Sequence, residues 1–434
     1  MNIYEKIIEG AEALEKNLIA TRRDLHKHAE TGWFEMRTSS IIARRLTELG
    51  YEVLVGEQVC DREARMGVPS EEKLAAHYEK AKSWGADEEF LPATKGGMTG
   101  VIGILRCGEG PTVALRFDID ALGVNESQDE DHLPFKEGFA SINPGSMHAC
   151  GHDGHTSIGL GVAKVLMDIK KELHGTVKLI FQPSEEGVRG AKSIVVKGHL
   201  DGVDYFIGSH VMNYPADPTA QIIGGTKDSL ATCKYDVVFR GLAAHAGGSP
   251  HLGKNALQAA AAAVLNLYAI PRHGKGNSQI NVGTLHAGSG RNVIADEATM
   301  EIEVRGATTE INDYMCKKAE NVLRCCAEMY GCEMEIKLMG AAQAVIPDYE
   351  MAAMIAESSR KVGMKVIDGA VTVGGSEDIS YMINRVMEQG GHATMFRELT
   401  LSPAPAHNRK YDFKEESMVN GVKAFCASVY DIMK

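Results

Sequence analysis

At 434 residues, 44% of them hydrophobic and 24% charged, the chain outgrows a single core, and two or three domains are expected. A net charge of −12 with no Lys/Arg-rich run argues against nucleic acid or an anionic membrane as partner. The longest near-apolar stretch, 259–270, is too short to cross a bilayer. The first residues lead into a charged helix without a signal-peptide core, and the nine cysteines show no framework spacing, so a cytoplasmic protein is expected.

In chain order, two N-terminal helical stretches precede an insertion at 57–95 that is rich in Glu, Lys and Ala and reads as helical. Buried strands follow over 101–105, 113–117, 177–181 and 205–208. Between them the pattern over 155–173 places Ile158, Val162, Val165, Leu166 and Ile169 on one helical face. This alternation predicts an α/β sheet with helices on both sides. The character changes near Thr226. A strand at 235–239, an Ala-rich helix at 256–267, strands at 279–285 and 298–305, a helix at 311–329 and a strand at 333–338 have the order of a ferredoxin-like module. The α/β character resumes at Tyr349, with a later turn Gly374-Gly375-Ser376-Glu377-Asp378. The expected domains are therefore 1–226 with 341–434, interrupted by 227–340.

The segment Met147-His148-Ala149-Cys150-Gly151-His152-Asp153-Gly154-His155-Thr156 carries the most chemistry. Cys150 alone among the cysteines has a histidine two residues away on either side, and a thiolate with a neutral imidazole is a transition-metal donor pair. Both donors sit just before a helix, whose positive end favours the thiolate. That field repels a cation, so an anionic donor such as Glu186 is needed as well. Asp118 and Asp120, Glu185 and Glu186, and His210 all fall at C-terminal ends of expected strands, where open α/β sheets bind ligands. Two adjacent glutamates allow one to hold metal while the other moves a proton. Asp118 and Asp120 suit the orienting of ligands, His155 suits packing or support, and His26, His28 and Glu35 suit structural roles.

Arg22-Arg23-Asp24-Leu25-His26, Phe117-Asp118-Ile119-Asp120-Ala121-Leu122, the Cys150 segment and Phe181-Gln182-Pro183-Ser184-Glu185-Glu186-Gly187 together resemble the metal-dependent amidohydrolase/carboxypeptidase family. That family includes hippurate hydrolases and auxin-conjugate hydrolases. Ala243-Ala244-His245-Ala246-Gly247, Gly375-Ser376-Glu377-Asp378 and His407 extend the likeness over nearly the whole chain. The resemblance implies a metallopeptidase-type catalytic domain, a mixed sheet flanked by helices, with an inserted ferredoxin-like lid and dimerisation domain. It further implies two divalent ions per subunit, zinc or manganese, held by Cys150, His152, Glu186, His210 and His407. Glu185 would be the general base and His245 the oxyanion donor, and Asn292 and Arg305 would grip a substrate carboxylate.

The insertion with Arg65-Met66-Gly67, and the phrase Gly288-Ser289-Gly290-Arg291-Asn292-Val293, resemble members acting on p-aminobenzoyl-glutamate. Hydrolysis of that amide is the leading expectation, and a broader N-acyl-amino-acid deacylase is the alternative. A catalytically silent metal-binding subunit is disfavoured, because neither Glu185 nor any expected ligand is missing. The resemblance also implies a dimer, with an identical chain or a related B subunit, in which His245 and Asn292 complete the other chain's site.

Overall fold

The computed structural model describes residues 2–372 and 375–434; Gly374, the first residue of the expected turn, lies outside them. Strands β1 (Glu52–Val55), β2 (Val101–Arg106), β3 (Thr112–Asp118), β4 (Thr176–Gln182), β5 (Tyr205–Asn213) and β6 (Ile222–Lys227) occupy the first half. They are followed by β7 (Ala231–Arg240), β8 (Ser278–Ala287), β9 (Glu297–Gly306), β10 (Glu333–Ala342), β11 (Val366–Thr372) and β12 (His392–Thr400). The chain divides into two compact units, one of residues 2–227, 346–372 and 381–434, the other of 228–345 and 375–380.

The larger unit contains an eight-stranded mixed sheet in the order β1-β2-β4-β3-β5-β12-β6-β11. Strands β4, β3, β5 and β12 run parallel, while β1, β2 and β6 join antiparallel. The parallel strands are largely buried on both faces, β3 and β4 through mainly apolar runs and β12 with Arg397 and Glu398 buried among them. The helix His152–Asp168 lies against the sheet with Ile158, Val162, Val165 and Leu166 buried. Its Gly159 faces Phe117 and Phe181 so closely that a Cβ would come within 2.7 Å of both rings. The last helix, Met418–Met433, covers the same region and buries Val422, Phe425 and Val429. The insertion at 57–95 belongs to this unit. It holds one helix, Glu71–Ser83, capped by the Ser70 hydroxyl, and two short 3-10 turns, Gly56–Gln58 and Leu91–Thr94.

The smaller unit is an antiparallel sheet, β10-β7-β9-β8, with helices Ala256–Tyr268 and Thr309–Met329. This is the strand-helix-strand-strand-helix-strand order of the ferredoxin-like module. Period-two alternation sets its faces: Ala298, Met300, Ile302 and Val304 of β9 are buried in the core with Ala259, Ala260 and Ala263 of the first helix. Glu297, Glu301, Glu303 and Arg305 take the other face. No helix among the described residues is long and apolar enough to cross a membrane.

Candidate metal centre

Cys150 and His152 flank a single residue, Gly151, which adopts φ +94° as N-cap of the helix that starts at His152. A Cβ at Gly151 would lie 2.5 Å from Val211 Cγ2, so both conformation and space call for glycine. Asp153, next in line, anchors the first turn. It accepts from Arg22 Nε at 2.8 Å and lies 2.8 Å from His26 Nδ1. Arg22 is wholly buried and also bonds Asp412 and Glu415, while His26 reaches Glu126. These carboxylates outweigh burial and raise the His26 imidazole to about 9. His148 is buried with neither ring nitrogen hydrogen-bonded, and burial lowers it to about 4.

The glutamate pair follows β4 in a strained turn, with Ser184 at φ +53° and Val188 at φ +60°. Asp120 fixes this turn by accepting from the backbone N–H of Glu185 (3.0 Å) and of Glu186 (2.9 Å). The buried Glu35 carboxylate accepts from the N–H of Ser184 at 2.7 Å. Asp120 also lies 3.3 Å from His152 Nδ1, so one carboxylate positions three functional residues at once.

The donor atoms then converge. Cys150 Sγ lies 3.4 Å from His210 Nε2, whose ring is oriented by Nδ1–H donating to the Val211 carbonyl at 2.7 Å. Glu186 Oε1 lies 3.9 Å from His152 Nε2 and 3.7 Å from His407 Nε2. Donor atoms of Cys150, Glu186 and His407 all fall within 4.8 Å of one another, as do those of His152, Glu185 and Glu186. His407 is exposed, adopts φ +67°, and is tied to the metal segment by its N–H donating to the Ala149 carbonyl at 2.7 Å. Asp118, His152, His155 and His210 form a third group of that size, but His155 is already committed. Its Nε2 accepts from the Val211 N–H at 2.9 Å, and its Nδ1–H goes to Asp118, which Arg116 also holds. Neither nitrogen is left to ligate, so His155 and Asp118 serve as supports.

The donor set fits divalent metal. His152 Nε2 and Glu186 Oε1 are buried with no hydrogen-bond partner, a costly state that a cation between them removes. Burial, with Asp120 and Asp118 close by, raises the Glu186 carboxyl to about 7 despite His152. Burial and Glu186 likewise push the Cys150 thiol up. The sequence suggested a thiolate favoured by the helix end; in the fold, burial overrides the dipole, and only a cation restores the thiolate.

In the smaller unit, His245 and Asn292 are brought together. His245 bridges to Val293, and the Ala246 N–H donates to the Asn292 carbonyl at 3.0 Å. His245 Nδ1 accepts from the N–H groups of Gly247 (3.1 Å) and Gly248 (2.8 Å), which places the ring proton on the exposed Nε2. Arg305 is not with them. It stands near the end of β9, bonded to Glu303 Oε1 at 3.1 Å, whereas Asn292 precedes the start of that strand. Residues 297 to 305 span about 26 Å of strand, so Asn292 and Arg305 of one chain do not grip one carboxylate. The supporting parts expected of Asp120 and Glu35 agree with these contacts, whereas the part of Arg22 in holding Asp153 was not read from the sequence, since nothing local marks it.

A sheet whose strand ends gather a cysteine thiol, imidazoles and carboxylates as potential metal donors fits a metallohydrolase. The chain belongs to peptidase family M20/M25/M40, whose model matches residues 114–431. It is 45% identical to indole-3-acetyl-aspartic acid hydrolase of Enterobacter agglomerans, over 93% of this chain and 92% of the relative. It is 42% identical to the A component of p-aminobenzoyl-glutamate hydrolase from Escherichia coli strain K12, over 96% of each. The solved aminobenzoyl-glutamate utilization protein of Klebsiella pneumoniae superposes with a TM-score of 0.83 at 38% identity, covering 98% of this chain and 97% of that one. A dinuclear metal-binding M20 peptidase of Bacillus subtilis superposes at 0.65 with 26% identity, covering 97% and 99%.

Proposed function

We propose that this enzyme hydrolyses the amide between an aromatic acyl group and an acidic amino acid, with p-aminobenzoyl-glutamate as the leading substrate. Amide hydrolysis is supported by the placing of Glu185, by Asp120 and Glu35, beside a donor cluster in which His152 Nε2 and Glu186 Oε1 are buried without hydrogen bonds, and the substrate by the 42% identity to the p-aminobenzoyl-glutamate hydrolase component. Cys150, His152, Glu186, His210 and His407 would hold two divalent ions, zinc or manganese. When bound, these supply Lewis-acid polarisation of the scissile carbonyl and of water.

Glu185 is the one carboxylate of the pair left for proton transfer. It takes a proton from the attacking water as the new C–O bond forms, then delivers it to the amide nitrogen as the C–N bond breaks. The products are the aromatic acid and the free amino acid. His245, with its proton on the exposed Nε2, suits donation to the oxyanion of the tetrahedral intermediate. The separation of Asn292 from Arg305 supports a two-chain site. His245 and Asn292 come from one chain and Arg305 from the other, in a dimer with an identical chain or a related B subunit. The enzyme is proposed to act in the cytoplasm.

A second reading is favoured by the 45% identity to the indole-3-acetyl-aspartic acid hydrolase. In that reading the acyl pocket is broad, and several N-acyl amino acids are cleaved. A hydrolysis panel on metal-reconstituted protein separates the two, using p-aminobenzoyl-glutamate, indole-3-acetyl-aspartate, hippurate and acetyl-amino acids. The leading reading requires kcat/KM for p-aminobenzoyl-glutamate to exceed the others by at least about tenfold, a difference of about 1.4 kcal/mol. Comparable values across the panel would establish the broad deacylase instead.

A further inference from the structure

Glu398 lies in β12, on the strand's buried length between Val211 of β5 and Ile222 of β6. It is 0% exposed, and its carboxyl meets no cation and no donor but the Ser417 hydroxyl. Such a group is rare, because burying a carboxylate without compensation costs several kcal/mol or more. Thr400 shares its face of the strand two residues on, and Ser417 lies beside it at the start of the last helix. The hydroxyls of Thr400 and Ser417 are also buried; the Thr400 hydroxyl forms no hydrogen bond, and the Ser417 hydroxyl meets the Glu398 carboxyl. One turn further along the helix is Gly421, where a Cβ would stand 2.4 Å from Glu398 Oε2. The helix therefore approaches the carboxylate through a residue without a side chain. Burial raises the Glu398 carboxyl to about 8, against the Ser417 hydroxyl beside it.

Oxygen is the only donor element here: two carboxylate oxygens and two hydroxyls, with a single contact among them, Ser417 to Glu398. Sulfur and imidazole donors, which select zinc or copper, are absent from the group, so it suits a hard cation. Its formal charge is a single negative one. A monovalent ion neutralises it, whereas a divalent ion would leave a buried net positive charge. Thr400 and Ser417 also line a surface cavity of about 350 Å³, together with Lys414 and Glu416.

We propose that Glu398, Thr400 and Ser417 form a binding site for an alkali-metal ion, sodium or potassium, separate from the divalent centre. Bound there, the ion ties β12, the central strand completing the sheet, to the final helix.

The test compares thermal unfolding of the divalent-loaded enzyme in sodium chloride, potassium chloride and tetramethylammonium chloride at equal ionic strength above neutral pH. The proposal requires Tm to rise saturably with sodium or potassium, by on the order of 2 °C or more over tetramethylammonium. Glu398→Gln and Ser417→Ala should each abolish that difference. Ser417→Ala serves if the first variant folds poorly, since it removes a donor and leaves the carboxylate. Equal Tm in all three salts would overturn the proposal and assign the buried carboxyl a proton in place of an ion. An ion-specific rise that persists in both variants would overturn it too, placing the ion elsewhere.

Discussion

Gly151→Ala tests whether the turn between Cys150 and His152 holds the metal donors. At φ +94° an alanine lies in the left-handed region, at a cost of about 1–2 kcal/mol. Its Cβ would also stand 2.5 Å from Val211 Cγ2 and 3.1 Å from Tyr411 Oη. Both neighbours are buried, Val211 within the sheet, so relief by rotation is restricted, and overpacking adds about 1–3 kcal/mol. The total, about 2–5 kcal/mol, falls on the bond between the two donors, so metal affinity should drop along with stability. Urea unfolding of the metal-free variant measures the first effect, and metal stoichiometry after dialysis against a weak chelator measures the second. Gly159→Ala is the control. It meets Phe117 and Phe181 at 2.7 Å in ordinary helical conformation and should cost stability while leaving metal affinity unchanged. If Gly151→Ala lost less than about 0.5 kcal/mol, the scale of an ordinary surface change, and kept both metals, the turn would not be what fixes the donors.

Other expectations follow from the same geometry. Glu185→Gln should keep both metals and lose about a hundredfold or more in kcat; lost metal with retained activity would exchange the roles of Glu185 and Glu186. Cys150→Ser should weaken metal binding more than folding, as equilibrium dialysis beside a melting curve would reveal. Mixing inactive His245→Ala with inactive Glu185→Gln should restore part of the activity, because a mixed dimer holds one intact site; no recovery in verified mixed dimers would place His245 in its own chain's site. His26, raised to about 9 by Asp153 and Glu126, lends stability that is fully present below about pH 6.5 and is lost as pH rises through 9. Denaturant midpoints for the wild type should therefore fall across that window by the equivalent of about 3 kcal/mol at most, and a His26→Gln variant should show a flatter profile.

The strands with unbroken apolar runs, such as β3 and β4, were legible from sequence, and so was the alternating β9. Four strands of the large sheet were not, each for a physical reason. In β6, Gly224 and Gly225 interrupt the apolar pattern because they admit the helix Tyr349–Lys361: a Cβ at Gly224 would meet the Ala352 carbonyl at 2.2 Å. In β11, a register shift after Ile367 and Gly369 at φ +90° break the period. In β12, Arg397 and Glu398 are charged yet buried, and β1 is only four residues long. The helix expected from residue 155 begins at His152, because its cap is a left-handed glycine and no side chain caps it. In the site, the donors were readable because Cys150 and His152 are near neighbours and the glutamates close a strand. What holds them was not, since Arg22 and Asp153, or Glu35 and Ser184, meet only through the fold.

The strand that joins the two halves of the large sheet is made last. β5 is complete at Asn213, but its partner β12 begins at His392. At ~5–20 residues per second, translation leaves the open edge of β5 waiting roughly 10–40 s. Over that interval a row of unsatisfied amides and carbonyls from a strand that carries Phe206, Ile207 and Val211 is available to any other nascent chain. The smaller unit has no such wait, for β7 to β10 and both of their helices emerge together and close their own sheet. Truncation after the smaller unit but before His392 would thus leave a folded smaller unit attached to an unfinished, adhesive larger one, and the nascent enzyme has most need of a chaperone while the middle of its chain is being made.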